Sequence, residues 1–403
     1  MKKPSECPLF LEKEDLSRVV TSLFNAEFSS SLWHTDNKQK IAAAVSGVAK
    51  ADWQRFVNKC LFFFDLEKDA PLAGHDSPTL DAVTEALCLR PLERLNFQTS
   101  GSTGAKKTIP FHLRAFASEA IAVAPLFSGL KRIVSVVPEH HLFGFSFSVI
   151  LPKYLAIPVL RMAPLPTRAF VDSLRDGDLV VAFPRFWQAL LSVVPHLHPE
   201  ERRHVRIQGV SSTAPCPPGV WDGLLEHFLC AMTEIYGATE TGAVGYRPSH
   251  NAPFTLLPLW ERLDTEGKIS LARRDEDGTE DLPQPVMDTL EWVEERQFFP
   301  LGRIDHAVQV GGVNVYPNEI AATIASHPDV KECAVRLMRP EEGVRLKAFI
   351  VPAEGITLSD CPVRFGASFR RWLRQQFSAP SCPKAFTFGQ ELPCNDMGKR
   401  ADW

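Results

Sequence analysis

The chain has 403 residues, is 45% hydrophobic, and carries 44 lysines and arginines against 48 aspartates and glutamates. This length is enough to bury a large core, and we expect two or more domains. The net charge of −4 provides no long-range field that would recruit nucleic acid. The nine cysteines are scattered without Cys-x-x-Cys spacing. This pattern argues against a zinc site and a disulfide framework, and it indicates a cytoplasmic protein.

The first 90 residues are predicted to be mainly helical, with amphipathic segments at 16–24 and 53–64. The N-terminus carries two lysines followed by acidic residues rather than an apolar segment, which excludes a signal peptide. The most apolar run, 142–160, is interrupted by Lys153 and two prolines. We therefore predict a buried helix followed by a strand there, and no membrane span.

From about residue 95, short β-rich runs alternate with segments suited to helices. Strands are predicted at 133–137, 157–160, 179–183, 205–210 and 231–236. Helices are predicted at 113–130, 168–174, 186–194 and 219–229. This alternation predicts an α/β fold with a largely parallel sheet. The polar, proline-containing stretch 273–285 is predicted to be a loop.

A second pattern begins after Gly302. Alternating valines flank Gly311-Gly312, which predicts a β-hairpin whose two turn residues take positive φ. The following elements are predicted to be a helix at 317–325, strands at 333–337 and 346–351, and a basic helix at 365–377. These make an α+β unit of about a hundred residues, a normal domain size. We therefore predict an N-terminal domain of residues 1–302 and a C-terminal domain of residues 303–403, with the boundary at 303–305.

One run is unusually rich in hydrogen-bond donors: Thr99-Ser100-Gly101-Ser102-Thr103-Gly104-Ala105-Lys106-Lys107-Thr108. The backbone N–H groups of such a loop can form an anion-binding concavity, with hydroxyls and an ammonium as further donors. The Walker phosphate loop is excluded because Lys106 stands where its second glycine is required. A phosphate-binding loop and a flexible surface loop both remain open on these residues alone.

Four further segments carry candidate functional residues. They are Tyr236-Gly237-Ala238-Thr239-Glu240-Thr241-Gly242; Asp288 with Gly302-Arg303-Ile304-Asp305; Gly311-Gly312-Val313-Asn314-Val315-Tyr316-Pro317; and Leu392-Pro393-Cys394-Asn395-Asp396-Met397-Gly398-Lys399. Taken singly, each key residue has a purely structural interpretation. These are a core tyrosine for Tyr236, a helix cap for Glu240 or Asp305, a solvated loop residue for Asp288, and a surface charge for Lys399.

Together and in this order, the five segments resemble the motifs of the acyl-adenylate-forming superfamily, over residues 91–403. This superfamily includes acyl-CoA and aryl-CoA ligases, peptide-synthetase adenylation domains and luciferases. The resemblance implies a large N-terminal α/β adenylation domain with sheets packed by helices, trimmed in its N-terminal part. It also implies a small, mobile α+β C-terminal domain joined by a hinge, and ATP and Mg²⁺ as cofactors.

The resemblance assigns roles at the nucleotide. The β- and γ-phosphates of ATP would be held by Thr99, Ser100, Gly101, Ser102, Thr103, Gly104 and Lys107. Adenine would lie beside Thr213, Ala214, Pro215, Tyr236, Gly237 and Thr239. Asp288 would accept both ribose hydroxyls, Arg303 would contact the ribose and phosphates, and Glu240 would hold Mg²⁺.

The resemblance also assigns roles in the reaction. Lys399 would bridge the substrate carboxylate and the α-phosphate, where an ammonium stabilises charge that develops during in-line attack. Asp305 matches the hinge, and Gly311 and Gly312 would line the thiol tunnel. His141, in His140-His141-Leu142-Phe143-Gly144, would lie between the acyl pocket and that tunnel; a core histidine is the structural alternative.

The chain departs from the family pattern at several positions. Lys106 replaces a common proline, Thr108 an expected glycine and Gln309 a common lysine. The family's Gly-Gly-Ala-Pro segment is Ser212-Thr213-Ala214-Pro215 here. Its Thr-Gly-Asp segment is Val286-Met287-Asp288, so the assignment of Asp288 depends on its spacing to Arg303.

Two functions remain open. In the first, ATP activates a carboxylic acid as acyl-AMP, and the C-terminal domain then turns so that a pantetheine thiol takes the acyl group. An aromatic or medium acyl acid is expected, because residues 134–150 contain no aspartate to pair with an α-ammonium. The thiol belongs to CoA or to a separate acyl carrier protein; the early phosphate loop favours the carrier. The alternative is a catalytically weak nucleotide-binding or regulatory relative, which the altered motifs suggest.

Overall fold

The computed structural model describes residues 11–28, 43–67, 79–99, 107–194, 206–265, 268–273, 284–286, 288–304, 307–339, 341–393 and 403. The chain forms two compact units. The first comprises Met1–Thr99, Thr108–Val286 and Glu291–Phe299; the second comprises Ser100–Lys107, Met287–Leu290 and Pro300–Trp403. The division between residues 302 and 303 stays a prediction. No described helix is both long enough and apolar enough to cross a membrane.

Three helices come first in the larger unit: α1 (Lys13–Phe28), α2 (Lys50–Phe63) and α3 (Leu80–Cys88). They confirm the two predicted amphipathic segments. The apolar faces meet around Phe24 and Phe56, whose rings lie edge to face with centroids 5.4 Å apart. Both rings are fully buried, so hydrophobic burial holds this layer together.

Two strands flank the hydroxyl-rich run, β1 (Arg94–Thr99) and β2 (Lys107–His112), and they pair in a small sheet. The larger unit continues with strands β3 (Arg132–Ser135), β4 (Val159–Arg161), β5 (Asp178–Ala182), β6 (Gln208–Ser211), β7 (Ala231–Ala238), β8 (Gly242–Arg247) and β9 (Phe254–Leu256). The helices between them are α4 (Leu113–Val123), α5 (Leu142–Phe145), α6 (Leu151–Leu155), α7 (Arg168–Ser173), α8 (Pro184–Val193) and α9 (Pro218–His227). A π-helical turn, Ser146–Ile150, joins α5 to α6.

Two further strands, β13 (Asp288–Glu294) and β14 (Gln297–Arg303), also belong to the main sheet. Within the described residues this sheet has nine strands, in the order β13-β14-β9-β8-β7-β6-β5-β3-β4. Strands β4, β3, β5, β6 and β7 are parallel to their neighbours in this row, which confirms the predicted parallel α/β sheet. All of β5 is buried, as expected for a parallel strand covered on both faces. The helices cover it with large side chains, among them Trp187 and Trp221.

The strand order contains a reversal. After β3 the chain moves outward to form β4, and it then crosses back to form β5 on the other side of β3. The connections that follow β3 and β5 therefore diverge at the carboxyl edge of the sheet. In open α/β sheets this divergence leaves a crevice where ligands bind.

The prediction of a loop at 273–285 is wrong at both ends of that stretch. Arg273 ends strand β11 (Lys268–Arg273), which pairs with β10 (Trp260–Thr265). Gln284–Pro285 forms β12, which pairs with β11 at Ser270 and Leu271. Proline is tolerated there because β12 is an edge strand. Residues 274–283 lie outside the described part of the chain.

The smaller unit has its own core. The hairpin of β15 (Val308–Val310) and β16 (Val313–Val315) confirms the predicted turn, since Gly311 and Gly312 have φ of 62° and 80°. The remaining elements are α10 (Pro317–Ala325), β17 (Val330–Leu337), β18 (Leu346–Pro352), α11 (Cys361–Arg364), α12 (Ala367–Gln376) and β19 (Ala385–Phe388). They confirm the predicted helices and strands and add the short helix α11 and strand β19, which pairs parallel to β18. The core between them includes Ile324, Leu346 and Phe369.

Candidate active site

Three of the predicted segments emerge at the carboxyl edge of the parallel strands. One follows β3 and contains His140 and His141; a second follows β6 and contains Thr213; the third follows β7 and contains Glu240. β6 and β7 are neighbours, whereas β3 lies three strand spacings from β7, or about 14 Å. These segments therefore outline an elongated site along one edge of the sheet.

The loop after β6 is attached to β7 at both of its ends. The Ser212 hydroxyl donates to the Ile235 carbonyl at 2.9 Å, and the Cys216 N–H donates to Glu234 Oε1 at 2.6 Å. Between these two hydrogen bonds, Thr213 and Pro215 are exposed, and Ala214 is half-buried. The loop thus presents the predicted adenine-binding residues from a fixed backbone.

Thr213 has a φ of +79°, in the left-handed region that a β-branched residue rarely enters. This backbone conformation suits glycine, the residue that the family pattern has in this segment. The threonine therefore keeps a glycine-like conformation at a cost of about 1–2 kcal/mol.

Glu234 and Arg247 form a buried ion pair that sequence reasoning missed. Arg247 Nε donates to Glu234 Oε2 at 2.7 Å, and the side chain of Glu234 is 3% exposed. Burial raises the pKa of the Glu234 carboxyl, while the Arg247 guanidinium opposes that shift. The same carboxylate accepts the Cys216 N–H, so one group joins β7, β8 and the loop after β6. The available signal was a single glutamate and a single arginine within otherwise apolar strands.

Tyr236 follows on β7 and is half-buried. Its ring packs against Phe254 and Phe298, with centroids 5.5 and 5.3 Å away. The strand pairing shifts register between Tyr236 and Gly237. A Cβ atom on Gly237 would lie 2.0 Å from the Gly242 carbonyl oxygen. Glycine is therefore required at 237 by the close approach of β7 and β8, whatever it contributes to a ligand.

Glu240 lies in the turn at 239–241, between β7 and β8. The alternative interpretation of Glu240 as a helix cap is therefore wrong, because no helix begins there. The Thr241 hydroxyl accepts the Ala238 N–H at 3.1 Å and closes the turn. Thr239 and Glu240 are half-buried beside it.

Glu119, on α4, holds the backbone next to this turn, and the sequence analysis did not predict a role for it. It is 2% exposed, and its Oε2 accepts the Ala243 N–H at 2.9 Å. A Cβ atom on Gly242, which has a φ of +76°, would lie 2.5 Å from the same oxygen. The indole N–H of Trp260 donates to the Ala243 carbonyl at 2.7 Å. The backbone that follows Glu240 is therefore held by a carboxylate and an indole.

Asp288 and Arg303 are the first residue of β13 and the last residue of β14. Each strand has seven residues, and a two-residue turn at 295–296 joins them. Strands of equal length joined in this way end at the same level. The fifteen-residue spacing thus places both half-buried side chains at the open end of one hairpin.

His140 and His141 follow β3, with ring centroids 4.4 Å apart. His140 is half-buried, and desolvation lowers its pKa to about 2. His141 is exposed, so it is not a core histidine, yet surrounding protein atoms lower its pKa by desolvation. Desolvation by the surrounding atoms therefore favours the neutral imidazole at both residues.

Several predicted site residues lie outside the described part of the chain, namely Ser100, Gly101, Ser102, Thr103, Gly104, Asp305 and Lys399. Thr99 and Lys107 mark the end of β1 and the start of β2. Gly311 and Gly312 form the hairpin turn described above. Among the described residues, no group of three or more His, Cys, Asp or Glu side chains is arranged to hold a metal ion. The assigned roles stay predictions.

Replacing Thr213 by glycine is expected to raise the free energy of unfolding by about 0–1.5 kcal/mol. The change relieves strain worth about 1–2 kcal/mol but adds about 0.5–1 kcal/mol of unfolded-chain entropy. Urea unfolding followed by circular dichroism measures the difference. The matched control is Ala214→Gly, which relieves no positive φ and should lose about 0.4–1 kcal/mol. Similar losses in both variants would contradict strain at Thr213.

Replacing Glu119 by alanine is expected to reduce the free energy of unfolding by about 1–3 kcal/mol. The substitution leaves the buried Ala243 N–H without its acceptor. The same urea titration measures it, with Ser192→Ala on α8 as control. The exposed Ser192 hydroxyl donates within its own helix, to the Ala189 carbonyl at 2.8 Å. Equal effects of the two substitutions would show that Glu119 does not hold the turn.

Comparisons with known proteins agree with this architecture. Residues 95–272 match the model of the AMP-binding enzyme family, and residues 319–399 match that of the AMP-binding enzyme C-terminal domain. A 4-coumarate–CoA ligase from Halorhodospira halophila is 37% identical over 306 residues, 76% of this chain and 74% of the relative. Another from Rhodobacter capsulatus is 35% identical over 76% of this chain and 74% of its own length.

Solved structures show the same fold. The amide bond synthetase McbA from Marinactinospora thermotolerans superposes with a TM-score of 0.60 at 17% identity, over 83% of this chain and 72% of McbA. At this sequence identity the comparison shows a shared fold and nothing about activity. From the two domain matches and the relatives above 30% identity, the chain belongs to the AMP-binding enzyme family, within the acyl-adenylate-forming superfamily.

Proposed function

We propose that this protein activates an aromatic carboxylic acid of the 4-coumarate type with ATP and transfers the acyl group to CoA. In the first step a carboxylate oxygen attacks the α-phosphorus, which forms acyl-AMP and releases pyrophosphate. In the second step the CoA thiol attacks the acyl carbon, which forms the thioester and releases AMP and a proton. The observation that carries this proposal is that three relatives, 33–37% identical over 76–78% of this chain, are named 4-coumarate–CoA ligases.

The chemistry of the described residues supports the nucleotide part of the proposal. Tyr236 offers a half-buried aromatic ring for adenine, beside the fixed loop that contains Thr213. Asp288 has two carboxylate oxygens, which suit a pair of ribose hydroxyls. Arg303 supplies a guanidinium at the same end of its hairpin, where ribose and phosphate would lie.

The phosphates would be held by the run from Thr99 to Lys107, whose backbone N–H groups and hydroxyls are all donors. Glu240 suits Mg²⁺, because this ion uses one or two carboxylates together with substrate phosphate oxygens rather than a cage of protein ligands. When bound, Mg²⁺ neutralises part of the triphosphate charge. Glu240 then contributes an anionic ligand from a turn that Thr241 and Glu119 hold in place.

We assign to Lys399 the placement of an ammonium between the substrate carboxylate and the α-phosphate. During acyl-AMP formation the substrate carboxylate and the α-phosphate approach each other, and both are anionic. A cation between them stabilises the charge that builds up in the transition state and so lowers the barrier. The C-terminal family model extends to this residue. Asp305 would then act as a hinge that removes Lys399 before the thiol enters past Gly311 and Gly312.

The wild-type protein is expected to exchange labelled pyrophosphate into ATP when 4-coumarate is present, and to form 4-coumaroyl-CoA when CoA is added. Medium-chain acids tested in parallel define the acyl class. Replacing CoA by holo-acyl carrier proteins, with mass spectrometry of the products, identifies the acceptor. If no acid in a broad panel supports pyrophosphate exchange, the result favours the weakly catalytic, nucleotide-binding alternative instead.

Lys399→Ala is expected to reduce acid-dependent pyrophosphate exchange by about 10²–10³-fold, the range for loss of one preorganised electrostatic contact. Thioester formation from supplied acyl-AMP should stay near the wild-type rate, because the lysine has left the site in that step. Lys384→Ala, at an exposed lysine of the same unit, serves as the control. An equal loss in both half-reactions would reject the domain rotation.

A further inference from the structure

Helix α1 lies outside the residues that the two family models match, which begin at 95. It nevertheless reaches the loop after β3 through Ser22. This serine is 2% exposed and sits in the middle of the helix. Its hydroxyl oxygen lies 2.8 Å from His140 Nδ1 and accepts the Glu139 N–H at 3.1 Å.

These two contacts define what the hydroxyl does. One lone pair of Ser22 Oγ is occupied by the Glu139 N–H, and the structure gives the serine hydrogen no acceptor other than His140 Nδ1 among the described residues. A buried O–H without an acceptor is costly, so the hydrogen points to Nδ1. In a neutral imidazole the proton then resides on Nε2.

The surroundings of His140 favour the neutral ring. Burial disfavours its charged form, and His141 and Lys59 of α2 oppose further positive charge. Glu139 on the same loop is paired with Arg161 at the end of β4. Its carboxylate is therefore engaged elsewhere, and Ser22 remains the partner that orients the ring.

We infer that Ser22 is a positioning residue that fixes the ring orientation and the Nε2–H tautomer of His140, and through the contact between the two tilted rings the position of His141. The two imidazoles stand at the carboxyl end of β3, beside the topological switch point of the sheet. In the proposed reaction, this Nε2–H is the hydrogen-bond donor to the acyl acid. This inference rests on the proposed function for its ligand, but the Ser22–His140 contact itself does not.

The first test is spectroscopic and needs no substrate. Protein labelled with ¹⁵N in its histidine rings should show His140 as a single Nε2–H tautomer, assigned by the loss of its signals in His140→Gln. Ser22→Ala should give a mixture of tautomers. Thr21→Ala is the matched control, because among the described residues the Thr21 hydroxyl bonds within α1, to the Ser17 carbonyl. An unchanged His140 spectrum in Ser22→Ala would overturn the inference.

The second test is kinetic. Ser22→Ala should raise the KM for 4-coumarate in pyrophosphate exchange about three- to tenfold, the effect of one neutral hydrogen bond, with kcat nearly unchanged. His140→Gln keeps a donor near the Nε2 position that does not depend on the tautomer. In that background Ser22→Ala should have no further effect on KM. Additive effects would show that Ser22 acts apart from His140.

The two readouts separate the two proposals. If no acid supports pyrophosphate exchange by the wild-type protein, the proposed function fails. The tautomer measurement still decides the role of Ser22. If exchange is normal and the tautomer does not respond to Ser22→Ala, only the role of Ser22 is rejected.

Discussion

The buried carboxylate of Glu234 is the group on which the described site depends most. It binds Arg247 of β8 and the Cys216 N–H of the loop after β6, while its own backbone belongs to β7. Removing one partner of such a pair strands a charge in the interior, which costs about 3–5 kcal/mol. The main role of this ion pair is therefore to hold β7, β8 and the loop after β6 in fixed positions, rather than to add to the stability of the fold. The pair fixes where the parallel part of the sheet ends and where its antiparallel extension begins.

That transition determines what the site can hold. The parallel strands direct their connecting loops to one edge, whereas β8 turns back beside β7 and brings Glu240 next to the same edge. Gly237 permits the two backbones to approach, and Glu119 and Trp260 then hold the chain just beyond the turn. Elements from distant parts of the sequence thus position one half-buried carboxylate without placing it inside the core.

Polar and charged groups also attach the first helix to the rest of the larger unit. Lys153, on α6 within the apolar run, lies 3.1 Å from both Glu12 and Asp15. Farther along α1, Ser22 contacts the loop after β3. Polar contacts of this kind are directional, so they fix the rotation of α1 about its axis, whereas apolar burial would fix only its general placement. This is the physical reason that a helix outside the matched family domains can act on a residue of the site.

The sequence by itself determined the periodic features. Apolar runs such as 179–183 and the glycines at 311 and 312 report local constraints, and the structure has a buried strand and a hairpin turn there. The short motifs also identified the family, because residue type and spacing are enough to recognise them in the sequence. Only the tertiary structure decided which buried polar side chains would find partners, and which partners. Glu119 and Ser22 look like ordinary helical residues, and their roles depend on atoms 124 and 118 positions away in the chain. Local propensity cannot report contacts over such separations, since they arise only when the sheet order brings those segments together.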